Sequence, residues 1–287
     1  MTTSKPKTSS VRSGIISRIM NEGNLSIKNV FRAFILLSGF MLTSSLVRLG
    51  LFRYKMIRCF YVCIYFLGKR FTDSTKVRLL QKYIQPGAVV LDVGAAFGFY
   101  TLIFSKLADS DGQIIAFEPD PMYLPFLRDL IDRKKLSNTK IAPYAVYSEQ
   151  ARLDLHICHE NPGENSLFRS PVHSNSVSVP AVSLDQYIDF PSINFVKIDV
   201  QGAECHVIQG MQKIIRKNPS IVILLECSPS DLEAAGTNTE QLLVVLHELG
   251  LRVFCCDTSP PFEVFRASDL DYLRKIKLGQ CDLICMR

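Results

Sequence analysis

The sequence predicts an α/β protein: a doubly wound, mostly parallel sheet with helices on both faces, preceded by a helical extension at the N-terminus. Three observations predict it. After Phe71, apolar runs of strand length alternate with amphipathic stretches of helix length. One such run passes directly into a glycine-bearing turn and a helix. An acid then stands at the end of the next run, twenty residues beyond the turn.

In order, the candidate strands are residues 88–93, 113–117, 140–146, 194–200, 221–227 and 252–257, with a last strand at 282–286. Helices fit 99–108, 121–135, 204–217 and 239–249. Two short alternating runs, 152–158 and 176–182, interrupt the pattern and read as a hairpin joined by the polar stretch 160–175. An insertion there, before the fourth main strand, is placed to cover a site at the strand ends.

Hydrophobic residues make up 47% of the 287-residue chain and charged residues 21%. That is enough apolar side chain to bury a sizeable core, and it excludes a disordered or collagen-like chain. The formal charge of +6 is unevenly placed: residues 1–70 hold twelve Lys and Arg against Glu22 alone, which leaves −5 for the remainder. The α/β part is mildly acidic, so no nucleic-acid partner is expected. Nine cysteines with no C-x-x-C pair suit a reducing compartment, the cytoplasm, and buried thiols rather than disulfides or a metal site. The pairs Cys59/Cys63 and Cys281/Cys285 each fall on one face of a helix or strand, as core packing requires.

Residues 1–26 read as a disordered basic tail and residues 27–74 as an apolar and basic helical extension, ahead of a main domain at 75–287. Residues 33–47 are uninterrupted by charge, and a second apolar run, 59–68, follows Arg48, Arg53, Lys55 and Arg58. Both are shorter than the roughly 18–20 residues of a membrane-spanning helix, and no early apolar segment with a cleavage site marks a secretion signal. Two readings stand side by side: helices lying peripherally at an anionic membrane surface through residues 27–70, or helices packing on the domain or on a partner subunit.

The stretch Val89-Val90-Leu91-Asp92-Val93-Gly94-Ala95-Ala96-Phe97-Gly98-Phe99-Tyr100-Thr101 is a strand, a glycine turn and a helix opening. Gly94 and Gly98 allow close approach of backbone to a nucleotide-type cofactor. Ala96 stands where a dinucleotide fingerprint has the glycine that admits a pyrophosphate, a group S-adenosylmethionine lacks. Asp92 at the strand end is placed to take that cofactor's amino group, and Glu118, in Phe117-Glu118-Pro119-Asp120, its ribose hydroxyls. A third strand, Phe195-Val196-Lys197-Ile198, ends in Asp199-Val200-Gln201-Gly202-Ala203-Glu204. In a doubly wound sheet this end faces the first across the switch point, which brings Asp92 and Asp199 to one site.

Asp92-Val93-Gly94-Ala95 through Tyr100, Glu118-Pro119 and Lys197-Ile198-Asp199-Val200-Gln201-Gly202-Ala203-Glu204 resemble the FkbM family of S-adenosylmethionine-dependent methyltransferases. The resemblance covers residues 75–257. It implies a class I, Rossmann-like methyltransferase fold of seven strands with an antiparallel last strand, S-adenosylmethionine as cofactor, and O-methylation of a hydroxyl on a sugar, lipid or secondary metabolite. It also implies cofactor contacts from Asp92, Gly94, Ala95, Phe97, Gly98, Tyr100, Glu118, Pro119 and Ala145. Gln201 departs from the family, which carries Glu there, and this puts a general-base role at that position in doubt.

Methyl transfer from a sulfonium needs the acceptor oxygen held in line and water kept out. A carboxylate in reach takes the hydroxyl proton; Asp199 is the first candidate and Glu226 the second. No metal ligand set is expected: His156 and His159 fall on opposite faces of a strand. His206, Asn165 and Ser166 are further polar residues placed near the pocket. Two rivals are a nicotinamide-dependent dehydrogenase, disfavoured by Ala96 and the third motif, and an inactive, membrane-associated interaction protein, for which Gln201 is the one pointer.

Overall fold

The computed structural model describes residues 45–46, 49–158, 162–258, 260–271 and 280–287. The expected tail, residues 1–26, and nearly all of the uncharged run 33–47 lie outside the described residues.

In chain order the elements are helices α1 (Lys55–Thr72) and α2 (Ser74–Tyr83), strand β1 (Val89–Val93), α3 (Phe99–Ala108), β2 (Gln113–Phe117), α4 (Leu124–Lys134), β3 (Thr139–Ala142), β4 (Ala145–Val146), β5 (Ala151–Ile157), β6 (Asn175–Val182), α5 (Leu184–Tyr187), β7 (Phe195–Ile198), α6 (Glu204–Gln209), α7 (Gln212–Lys217), β8 (Val222–Cys227), α8 (Pro229–Ala234), α9 (Thr239–Glu248), β9 (Arg252–Cys255), β10 (Phe262–Glu263) and β11 (Cys281–Met286). The main sheet runs β10-β9-β11-β8-β7-β1-β2-β3. Strands β3, β2, β1, β7 and β8 are parallel neighbours, and β11 lies antiparallel to both β8 and β9. This is the predicted doubly wound sheet with an antiparallel last strand; the short edge strand β10 is an addition.

The central strands are near-continuous apolar runs because both faces are covered; β7 is buried at every position. One face packs Leu91, Val93, Ile115, Phe117, Val196, Ile198 and Ile223 against Val207, Ile208, Ile215, Leu242 and Leu246 of α6, α7 and α9. The other packs Val90, Ile114, Phe195, Val222 and Leu224 against Leu80 of α2 and Tyr100 and Phe104 of α3. On this second face the strand register sets Asp92 beside Lys197, Lys197 beside Leu224, and Glu226 beside Asp282. A two-residue period then carries Asp199 to the same side. A polar band therefore crosses the carboxyl end of an otherwise apolar face.

Two predicted elements divide. The expected strand 140–146 breaks at Pro143, which has no N–H to continue the ladder, so β3 stays in the main sheet and β4 joins β6 and β5 in a second sheet. The expected helix 204–217 breaks at Gly210, where a Cβ would strike the Tyr147 carbonyl. Asp185 stabilises the break: its N–H donates to Gly210 O at 2.8 Å, and its carboxylate accepts the N–H of Lys213 and Ile214 at 3.0 and 2.9 Å. The hairpin β5–β6 forms as read. The buried thiols Cys281 and Cys285 fit the expected core, but Cys63 is exposed and Cys59 half-buried, because that side of α1 faces away from the domain.

Candidate active site

β1 delivers the chain into the turn Gly94–Gly98. Both glycines have positive φ, +85° and +81°, backbone that glycine adopts without strain. The room they leave is taken by protein. A Cβ on Gly94 would strike the Asp199 carbonyl oxygen, and one on Gly98 would lie 2.6 Å from Leu130 Cδ2. Gly94 thus lets the loops after β1 and β7 touch, and Gly98 seats α3 against α4. Gly94 and buried Ala95 both donate N–H to Phe117 O at 3.0 Å, and Gly98 donates to Ala95 O at 2.8 Å.

Glu118 is buried at the end of β2. Its Oε2 accepts Ala96 N–H at 2.7 Å and its Oε1 accepts Asp120 N–H at 2.8 Å, so one carboxylate ties the β2 loop to the glycine turn, with half-buried Pro119 on its rim. The connection between β5 and β6 reaches across the same place. Asn165 Nδ2 donates to Asp120 Oδ2 at 2.6 Å, and the Ser166 hydroxyl donates to Gln201 O at 2.6 Å. Since β1 lies between β2 and β7, these neighbouring residues bridge the two loops that flank the glycine turn. The insertion predicted to cover the site is pinned there by side chains.

Beneath the β7 loop is a cleft lined by Lys69, Lys76, Tyr100, Lys197, Asp199 and Glu226, with Asp282 at its wall. Asp92 lies wholly buried at the sheet level: Thr101 Oγ1 donates to its Oδ2 at 2.5 Å, and Oδ1 has no partner among the described residues. Burial raises its proton affinity, opposed by the Lys197 charge. Lys197 reaches Asp199 Oδ2 at 2.9 Å, and its ammonium sits 4.7 Å from the Tyr100 ring centroid. Gln201, in the left-handed region at φ 52°, donates through Nε2 to Asp199 Oδ1 at 2.9 Å and to Glu226 Oε1 at 3.5 Å. Burial works against charge on Asp199, but the ammonium groups of Lys197 and Lys69 and these hydrogen bonds outweigh it and hold the carboxyl well below the usual range. Glu226 goes the other way. Burial, then the Asp199 charge, push it up to about 7, with Lys76 opposing.

Helix α1, ahead of the expected domain start, and helix α2, at that start, complete this cleft. Lys76 lies 2.6 Å from Asp282 Oδ2 and 4.0 Å from Glu226 Oε2. Tyr100 OH donates to Asp73 Oδ2 at 2.7 Å, and Lys69 pairs with Asp73 at 3.1 Å. Reading the sequence missed Lys69, Asp73, Lys76 and Asp282 as site residues, since Lys76 meets Asp282 and Glu226 only across most of the chain and nothing local turns the Lys69–Asp73 pair toward the cleft. Of the expected cofactor residues, Phe97 packs its ring among Tyr61, Tyr65, Tyr123 and Phe126, and Ala145 is buried in the second sheet with Leu155, Val179 and Ala181. His206 stacks on Tyr147 and Phe168, with ring centroids at 4.4 and 5.6 Å. Glu204 accepts Gly202 N–H at 3.0 Å and closes its own turn.

Two buried glutamates, Glu118 and Glu204, and the half-buried Glu226 give the fold a pH dependence. Burial is the main cause in each, pushing Glu118 and Glu204 up to about 8 and Glu226 up to about 7. Each holds its proton more tightly folded than unfolded, where the value is 4.5. Stability therefore falls as pH rises from the unfolded to the folded value and levels off above it. Asp199 adds stability above its unfolded value of 3.8 that is lost only in strong acid. Thermal unfolding of the whole chain is expected to show a lower Tm at about pH 8.5 than at about pH 5.5, and Glu204→Gln is expected to flatten part of that slope. A Tm rising across this window would contradict the burial of these acids.

Comparison with known proteins identifies the family of the chain. The Methyltransferase FkbM domain family matches residues 92–253. Hexuronic acid methyltransferase AglP of Haloferax volcanii is 27% identical over 163 residues, 53% of this chain and 61% of that protein, so the match spans about six tenths of that relative's length. Among solved structures, an rRNA methylase of Streptococcus thermophilus aligns at 11% identity and a TM-score of 0.43, covering 74% of this chain and 93% of that one. A SAM-dependent O-methyltransferase of Thermotoga maritima aligns at 11% and 0.43, covering 75% and 64%. The family match takes in more than half of the chain, including the glycine turn, the Glu118 loop and the Lys197–Glu204 strand end: the chain belongs to the FkbM family of methyltransferases and has its class I, Rossmann-like fold.

Proposed function

We propose that the protein transfers a methyl group from S-adenosylmethionine to a hydroxyl oxygen of a small acceptor, with sugars the foremost class and lipid-linked sugars or secondary metabolites behind them. The observation that supports this best is the carboxylate pair at the ends of β7 and β8, whose surroundings push their proton affinities apart: Asp199 is kept ionised while Glu226 is tuned near neutrality. Such a split assigns the roles of charge and proton acceptor to different groups. Both oxygens of Asp199 are engaged by Lys197 and Gln201, so we place Glu226 ahead of Asp199 as the base that accepts the hydroxyl proton. The sugar reading is supported by the hexuronic acid methyltransferase relative.

The residues fit the cofactor on two counts. Each Glu118 oxygen accepts one backbone N–H and a carboxylate oxygen has two acceptor sites, which leaves one on each oxygen for the ribose hydroxyls. The orphaned Asp92 Oδ1 suits a cation reached through an ordered water. Gly94, Ala95, Gly98 and Pro119 supply the surrounding backbone, and Tyr100 the floor. When bound, S-adenosylmethionine supplies an electrophilic methyl on a sulfonium; the chain's own residues orient the acceptor, exclude water and hold its proton on Glu226.

Calorimetric titration of the whole chain with S-adenosylmethionine and, separately, with NAD tests the cofactor. S-adenosylmethionine alone is expected to bind, and Glu118→Ala to weaken it by about 1.5–3 kcal/mol above about pH 8, where this carboxyl is ionised, as for hydrogen bonds to a charged group. Binding of NAD instead would replace methyl transfer by hydride transfer. A radiolabelled-methyl screen over hexuronic acids, neutral sugars and lipid-linked sugars then identifies the acceptor.

A further inference from the structure

Helix α1 has two apolar faces. One packs on the domain: Tyr61 and Val62 are buried and Ile57, Tyr65 and Phe66 partly so, together with Phe52, Phe97 and Phe126. Arg58 on that side pairs with Asp129 at 2.7 Å. The opposite face carries Met56 at 86% exposure, Phe60 at 66%, Ile64 at 39% and Leu67 at 59%. At 100° per residue these four fall within a sector of about 80°, a continuous stripe along the helix. A lone exposed apolar residue needs no explanation, but an aligned row of four marks an interaction surface.

We infer that this stripe seats α1 on an anionic lipid bilayer, with the helix axis in the membrane plane. Charge selects this occupant. The helix carries Lys55, Arg58, Lys69 and Arg70 and no acid, and no Asp or Glu occurs anywhere from residue 23 to residue 72, against eight Lys and Arg. Arg53, Lys55 and Arg70 are exposed, and Lys55 and Arg70 lie along one flank of the stripe, the arrangement of an interfacial amphipathic helix. A second copy of the chain fits less well, because pairing two stripes would bring like-charged flanks together with no acid between them. Among the described residues no helix is long and apolar enough to cross a membrane, and the buried face of α1 ties it to the domain. For α1, the described part of this segment, the inference joins the two expected alternatives: one face packs on the domain and the other would meet lipid.

Lys69, on the last turn of α1, and Asp73 just beyond it reach the cleft. A membrane-seated α1 would hold the cleft close to the headgroups.

The test is flotation of the full chain with vesicles of phosphatidylcholine alone and with phosphatidylglycerol added. Association with the anionic vesicles, weakened by salt, is expected. The triple variant Met56→Ser, Phe60→Ser, Leu67→Ser is expected to lower partitioning about tenfold or more with the thermal melt unchanged, since the three side chains are exposed. Arg53→Gln with Arg70→Gln is expected to weaken the preference for anionic lipid severalfold. Three results would overturn the inference: no flotation with either vesicle, flotation that the triple variant leaves intact, or a dimer of the full chain that the triple variant dissolves.

Discussion

Replacing Gly94 by alanine is expected to cost about 3–5 kcal/mol of stability, at the upper end of what single substitutions do. Two penalties add. The backbone there has φ +85°, a left-handed conformation that costs an alanine about 1–2 kcal/mol. The new Cβ would also strike the Asp199 carbonyl oxygen, and because that oxygen is backbone, relief requires the loops after β1 and β7 to part. Gly87 supplies the control: its φ is +82° and a Cβ there would meet nothing within 4 Å, so Gly87→Ala pays the conformational penalty alone. Urea unfolding of the two variants separates the terms. The larger loss at Gly94 should come with lost S-adenosylmethionine binding, since parting the loops displaces Asp199 and the turn together. Equal losses at the two positions would mean that the β1 and β7 loops are not pressed together.

That contact also marks the limit of what the sequence makes legible. Val89 through Thr101 form a local strand-turn-helix pattern, and the spacing to Glu118 is local as well, so the turn, the acid and the fold class can be read without a structure. The switch-point rule even brings Asp199 to the same site, but it does not show the backbone contact that makes Gly94 necessary, because how closely the β1 and β7 loops approach is set by tertiary packing. The same holds for Lys76 and Asp282, which straddle the matched family region and meet Glu226 through α2 and the β8–β11 register. The breaks at Pro143 and Gly210 were written in residue types that weaken ladders and helices, yet apolar periodicity continues across both. Phe97 illustrates the converse: a residue inside the most legible motif spends its side chain on the aromatic cluster under α1, a role set by tertiary packing alone. For α1, periodicity indicated an apolar helix but not which of its two apolar faces the domain would bury.

Substituting Glu226 by glutamine is expected to lower the rate of methyl transfer by about 10²–10⁴, the usual contribution of a positioned base, while leaving S-adenosylmethionine affinity close to that of the parent chain. Glu226 is faced by Asp199 and Lys197 from β7 and its loop, Gln201 from the same loop, Lys76 from α2 and Asp282 from β11. A base must be ionised to act, so the parent enzyme's activity should rise with pH through about 7, where burial and the Asp199 charge place this carboxyl. The sign of the neighbours then makes two further variants diagnostic. Lys76→Met removes a cation that favours the ionised form, so the rise should move to higher pH. Asp199→Asn removes an anion that opposes it, so the rise should move to lower pH. A purely structural role for Glu226 would shift neither limb. Carbon-13 NMR of labelled glutamate, with Glu226→Gln assigning the signal, reads the same titration without any acceptor and separates a displaced proton affinity from a failed acceptor screen. A Glu226→Gln enzyme within tenfold of the parent would return the proton to Asp199, or leave it to water.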